Sequence, residues 1–398
     1  MNKLPRLALN ALGLTLSLSG SAFAQLNAVD PGPYTFATGK FPMWYQDNNL
    51  LSLELCQSRA TSSRSPGAPG APSYMCILNP EPGVFDDTLP MVFPDNWPPE
   101  TFWFLAETTI ADVGGYGVDA YVAGIEAAFA AENPVDGDQA SFARIRLRVN
   151  VPIAGTYTIT HPYGVETVNV TTPGRRAINI TRDIGIGAPG NFSGALNGEV
   201  GPFLRSVNGP YTEVNPDTGS IETFVGDPNL TEAVTGSPFN NNFLRVQGPA
   251  GTIQTTLFTV SGKVLDNRAQ TPVEIGRATY RRTSSGSGSS TRVEVFGKST
   301  NGSSLCFRET VALVVGPPQS PCLTTMLGDN NGQFFGQRLT GTTVPPVVVV
   351  TATNPAGTTR PTAVSSKVTD LVKIQTARYN WSDHSLLIEA TSTDEVAV

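Results

Sequence analysis

The sequence predicts an all-β chain, and three observations predict it. Its 39 Gly and 32 Pro are spread along all 398 residues. Each would cost a helix interior about 1 or 3 kcal/mol respectively, so they punctuate turns between short apolar runs. Several of those runs alternate polar and apolar residues with period two, the mark of a strand with one buried face. One such hairpin pattern occurs twice, about a domain apart.

At the N-terminus, Met1 to Arg6 carries Lys3 and Arg6, and Leu7 to Leu18 is apolar apart from Asn10 and Thr15. Small residues then lead to Ala22-Phe23-Ala24. These are the three regions of a bacterial secretory signal peptide, residues 1–24, with the mature chain expected to begin at Gln25. No cysteine lies near that site, so no lipid anchor is expected. Losing Lys3 and Arg6 takes the net charge from −7 to about −9, with no basic cluster of the kind that phosphate binding needs. No later run approaches the roughly 18 to 20 apolar residues of a membrane helix. The expected product is secreted, at the cell surface or in the periplasm, with no nucleic-acid partner and no membrane span.

An even cysteine count in an exported chain points to disulfides. The local pairs are Cys56 with Cys76 and Cys306 with Cys322, the second enclosing Gly316-Pro317-Pro318. On the chain-entropy model each contributes on the order of 3 kcal/mol.

The clearest strand is Arg144 to Val151, with Ile145, Leu147, Val149 and Val151 pointing inward. Thr156–Thr160 and Val165–Val170 flank His161-Pro162-Tyr163-Gly164 and read as a hairpin. The stretch 119–129 suits a helix by its alanines, while Gly124 and its aromatic residues favour a strand, the reading adopted. Residues 133–138 form a turn, and 202–238, rich in Gly, Asn, Asp and Pro, reads as a long irregular connection. Strand texture returns at 243–246 and 253–260, with a boundary near 261–263.

Val273-Glu274-Ile275-Gly276-Arg277-Ala278-Thr279-Tyr280 recurs as Val372-Lys373-Ile374-Gln375-Thr376-Ala377-Arg378-Tyr379. Polar turns at 284–290 and 381–384 follow, then second strands at 292–300 and 386–393. Two copies of one hairpin suggest tandem immunoglobulin-like sandwiches. The division that results is an N-terminal β-sandwich-like domain at 25–262, an immunoglobulin-like sandwich at 263–345 and a partial second repeat at 346–398.

Five segments carry a resemblance: Phe41-Pro42-Met43-Trp44-Tyr45-Gln46-Asp47, Leu53-Glu54-Leu55-Cys56, Phe93-Pro94-Asp95-Asn96-Trp97-Pro98, Gly155 to Val165, and Thr235-Gly236-Ser237-Pro238-Phe239. Together they resemble uncharacterised secreted bacterial proteins with immunoglobulin-like repeats, over roughly Phe41 to Val398. The resemblance implies fold and export and carries over no functional residue. Members commonly continue further at the C-terminus.

Motifs for chemistry are sparse. His161 and His384, the only histidines, fall in hairpin turns and read as exposed turn residues, and no G-x-S-x-G elbow, P-loop or H-E-x-x-H is present. Glu54, Glu107, Asp112 and Glu126 are candidates for a glycosidase-type acid pair. Asp136-Gly137-Asp138 and Asp329 in Gly328 to Gly332 are candidate calcium ligands, for which turn formation is the competing explanation. Calcium is the sole cofactor raised. Trp44, Tyr45, Trp97, Phe102, Trp103 and Phe104 concentrate aromatic area, as core or as a carbohydrate-contacting surface centred on Trp44, Tyr45, Trp97 and Trp103.

The favoured reading has no catalytic residue: a secreted or surface β-protein for adhesion or binding an extracellular polysaccharide or cell-surface component. A carboxylate-based polysaccharide hydrolase or lyase is the alternative. Self-assembly through the C-terminal hairpin, whose strand edges lack a partner in sequence, is the third reading.

Overall fold

The computed structural model describes residues 24–68, 70–285, 288–309 and 321–396. The expected leader before Ala24 and the Gly316-Pro317-Pro318 excursion lie outside them. The fold is all-β, as the spread of Gly and Pro predicts, with two short 3-10 turns and six sheets among the described residues.

Three sheets share one apolar core and make the N-terminal body. A six-stranded sheet runs in the order β1 (Leu26–Val29), β2 (Trp44–Asp47), β3 (Ser52–Glu54), β17 (Lys263–Val264), β12 (Ile221–Phe224), β11 (Tyr211–Val214). The seven-stranded sheet has β10 (Arg205–Ser206), β13 (Glu232–Thr235), β16 (Leu257–Ser261), β4 (Glu100–Val113), β5 (Tyr116–Phe129), β6 (Gln139–Val151) and β9 (Gly174–Ile184). A third sheet has β15 (Gly251–Thr255), β14 (Leu244–Gly248), β7 (Gly155–His161) and β8 (Gly164–Val170).

The period-two reading of β6 holds: Ile145, Leu147, Val149 and Val151 are all buried, and β7–β8 is the expected hairpin. The segment 119–129 lies within β5, where β4 and β6 flank it on both sides and override its helix-favouring alanines. The irregular connection expected over 202–238 is a correction: it carries β10 to β13, which extend two of the sheets. Strands of two to four residues are too short to show a period.

The second body is a two-sheet sandwich with its own core. One sheet has β22 (Leu327–Gly328), β23 (Gln333–Gly341), β19 (Gly288–Lys298), β18 (Glu274–Ser285) and β26 (Thr369–Asp370). The other has β21 (Thr324–Thr325), β20 (Ser304–Glu309), β24 (Val347–Thr353) and β25 (Thr362–Lys367). Val293 and Val295 of β19 pack with Leu305 and Phe307 of β20 and Val348 and Val350 of β24.

Both domain divisions drawn from sequence shift. β17 belongs to the N-terminal body, pairing with β3 and β12, so that body runs past residue 262. β24, β25 and β26 complete the first sandwich, so a cut at 345/346 passes through it. Among the described residues the second copy is present as a two-stranded hairpin, β27 (Val372–Asn380) and β28 (Ser385–Ser392). Cys56–Cys76 and Cys306–Cys322 form the two expected disulfides.

Candidate functional site

Between the two bodies lies a cleft of about 1870 Å³. One wall is the loop 80–96 with Phe36 at its rim. The other is the open side of the sandwich, formed by all of β25 and by Ile275 to Ala278 of β18. Both strands present an edge here: β25 pairs only with β24, and β18 meets β26 only at Thr279 and Tyr280. Edge strands of this kind offer unpaired backbone donors and acceptors.

The floor is built by strand register. Lys263 of β17 stands opposite Glu54 of β3, and Phe224 on its other side places Glu222 two residues along β12. Lys263 Nζ therefore donates to Glu54 Oε1 at 2.7 Å and to Glu222 Oε1 at 2.6 Å. Ser58 Oγ donates to the other oxygen of Glu222, and Asn215 Nδ2 to the first at 3.1 Å. From the sandwich, Arg360 donates to Glu54 Oε2 at 2.6 Å. Burial alone would raise the Glu54 carboxyl, but Lys263 and Arg360 outweigh it and hold it below the ordinary glutamate value.

A second buried cluster ties the bodies beside the floor. Asp217, in the β11–β12 turn, takes a bidentate contact from Arg59 at 2.7 and 2.5 Å and a further one from Arg308 of β20. Thr351 of β24 donates to the Asp217 carbonyl at 2.7 Å. Burial and then the nearby Arg59 depress Arg308, against the pull of Asp217. Buried ion pairs of this kind fix geometry more than they add stability. Here they fix the cleft, since each links both bodies.

The residues proposed from sequence do not gather at the cleft. Tyr45, Trp97 and Trp103 are wholly buried and Trp44 is half-buried in β2, which corrects the sugar-stacking surface. Phe41 packs against Trp97 and Trp103, Tyr45 packs edge-on to Trp103, and the Tyr45 hydroxyl meets Ser141 Oγ and the Phe192 carbonyl at 2.7 Å. Gly39, at φ 61°, makes room for Trp97, because a Cβ there would sit 2.6 Å from the indole ring.

The four acids do not meet as a pair either. Glu54 is committed to the floor. Glu107 stands opposite Val122, four residues along β5 from Glu126. At the strand rise that is roughly 13 Å, beyond the roughly 5 to 9.5 Å of glycosidase pairs. Asp112 lies further along, bonded to Asn150 Nδ2 at 2.8 Å. Burial pushes the Glu126 carboxyl up to about 7 in spite of Arg144, whose guanidinium is shared with Asp183.

His161 is the clearest correction among the titratable groups. It is 1 % exposed, not an exposed turn residue. Its Nδ1 accepts from the Tyr163 backbone N–H at 3.3 Å and lies 3.3 Å from the Tyr121 hydroxyl, with Nε2 facing Glu166 at 3.8 Å. His384 is exposed, as expected, and its Nδ1 is 3.0 Å from the Tyr379 hydroxyl.

Asp136 pairs with Lys40 at 2.5 Å, and Asp138 holds its turn through its backbone. Asp329 Oδ1 accepts from the N–H groups of Asn331 and Gln333 at 2.8 and 2.9 Å. These acids shape turns. Among the described residues no group of three or more His, Cys, Asp or Glu is placed to hold a metal ion.

Sequence reasoning missed the cleft residues Asp217, Glu222, Lys263 and Arg360 and the buried Arg59 and Arg308 beside them. One signal was there: Lys263 is the single charge in the largely apolar Leu257 to Leu265. An isolated charge inside an apolar run needs a buried partner. No family model, curated protein or solved structure matches this chain.

Proposed function

We propose that this is an exported, non-enzymatic binding protein that holds an extended polypeptide, such as a segment of a cell-surface protein, in the cleft between its two bodies. The observation that carries the reading is the pair of strand edges, β18 and β25, opening onto a cleft whose width is set by the buried ion clusters. A peptide strand added at such an edge gains main-chain hydrogen bonds, and the cleft walls select its side chains. Polypeptide is favoured over polysaccharide because Tyr45, Trp97 and Trp103 are buried in the core and no Trp or Tyr is among the described residues that line the cleft. The secretory leader expected from sequence and the two disulfides support export to an oxidising compartment.

The test is selection of peptides from a displayed library by the purified chain, alongside retention on a panel of immobilised polysaccharides. Selected peptides should bind at micromolar concentration. A Gly276→Trp, Ser365→Trp double variant, which fills the cleft from both edge strands, should lose that binding without losing its thermal transition. Retention on a polysaccharide with no peptide selected would replace polypeptide by sugar as the ligand. Binding to neither would reject the cleft as a site.

A further inference from the structure

We propose that the C-terminal hairpin docks on the same hairpin of a second copy of this chain, apolar face to apolar face, closing a small two-layer sandwich between molecules.

The hairpins β18–β19 and β27–β28 match in register as well as in sequence. In the first, the pairs Ile275–Gly297, Ala278–Val295 and Tyr280–Val293 lie on one face, with a bulge after Ile275. In the second, Ile374–Ala390, Ala377–Ile388 and Tyr379–Leu386 fall in the same places, with a bulge after Ile374. The first face is roofed by β20 and β24. The second face is exposed along its whole length, with Ile374 at 60 %, Leu386 at 60 % and Ile388 at 53 %. A hairpin with no second layer is at best marginally stable in water.

Three features select a second copy as the occupant. A two-layer sandwich needs two apolar sheet faces of similar length, and this face supplies both when doubled about a two-fold axis. Its six residues carry no charge, while Lys373, Arg378 and Glu389 fall in the alternate positions. Two acidic molecules can therefore meet here without placing like charges in contact. Presentation is fixed: Asp394 pairs with Arg282 at 2.6 Å and Thr393 bonds the Tyr280 carbonyl and Asp370, pinning the hairpin base to the end of β18. Each face spans roughly 30 Å by 10 Å, so the contact falls at the small end of specific interfaces. The expected dimer is weak, with Kd on the order of 10 to 100 μM.

Sedimentation equilibrium of the purified full chain across that concentration range tests this. A monomer–dimer equilibrium is expected, abolished by Leu386→Glu or Ile388→Glu and retained by Leu387→Glu on the reverse face. All three positions are exposed in one chain, so folding of each variant is checked by an unchanged thermal transition. A chain that stays monomeric throughout, or a dimer indifferent to Leu386 and Ile388, overturns the proposal.

Discussion

The two copies of the hairpin differ in their surroundings more than in their sequence. β18–β19 forms one wall of the sandwich core, while β27–β28 stands clear of both bodies with the same alternation and the same bulge. Local pattern therefore makes the hairpin, and the second layer makes it a core. One position records the difference directly. Gly297 lies under Leu305 and Met326, where an added Cβ would be 3.4 and 3.7 Å from their side chains, and its counterpart in the bare hairpin is Ala390.

The comparison breaks most visibly under a charge. Val295→Asp puts a carboxylate into a site with no exposure, beneath Phe307 and Val350. It should cost more than about 4 kcal/mol and abolish the sandwich transition in urea. The counterpart Ile388→Asp, measured on dilute monomer, should change the same transition by less than about 0.5 kcal/mol. Equal losses would mean that the second hairpin is part of the folded core after all.

The roof layer can be loosened without touching the hairpin. Cys306–Cys322 ties the middle of β20 to the approach to β21, 16 residues apart. Replacing both cysteines by serine should lower sandwich stability by about 3 kcal/mol, read as a lower urea midpoint. The N-terminal body, which has Cys56–Cys76 and a separate core, should keep its own transition.

How much of this was legible in sequence follows from the same contrast between pattern and context. Period-two alternation gave β6, β7, β8 and both hairpins, because one buried face writes itself into every second residue. It could not give β10 to β13, which are too short. Nor could it divide the sandwich, because the run of valines in β24 looks the same whether it opens a new domain or closes an old one. The cleft was illegible for a further reason. Glu54, Glu222, Lys263 and Arg360 are up to 306 residues apart; the pairing of β3, β17 and β12 brings the first three together, and Arg360 reaches Glu54 from the sandwich. The aromatic cluster was legible as residues but ambiguous in role, since the same rings fill cores and bind sugars.

The smallest predicted effect concerns a single carboxylate under cover and another in the open. Asp383, in the bare hairpin turn, is held below the ordinary aspartate range by the Ser385 hydroxyl and backbone N–H. Glu126 goes the other way: burial raises it to about 7, and Arg144, engaged twice by Asp183, gives it a single hydrogen bond. A carboxyl whose folded value lies above its unfolded one stabilises the fold fully below the unfolded value, near 4.5, and that contribution is lost as pH rises through about 7. Glu54 and Glu166 are depressed, Glu166 to about 2 chiefly by His161, so their contribution is present above the ordinary glutamate value and lost in acid. The windows meet at the ordinary glutamate value, and stability should peak there, near pH 4.5. Above that peak the decline belongs mainly to Glu126, with Glu107, also raised by burial, acting in the same direction, and the Glu126 share should amount to about 2 to 3 kcal/mol by pH 8. Glu126→Gln keeps an oxygen for the Arg144 hydrogen bond and removes the titration. Its urea midpoint at pH 8 should exceed that of the unmodified chain, with the two converging at pH 4.5. A decline from pH 4.5 to 8 undiminished by the substitution would assign it to another group and leave Glu126 ionised beneath its cover.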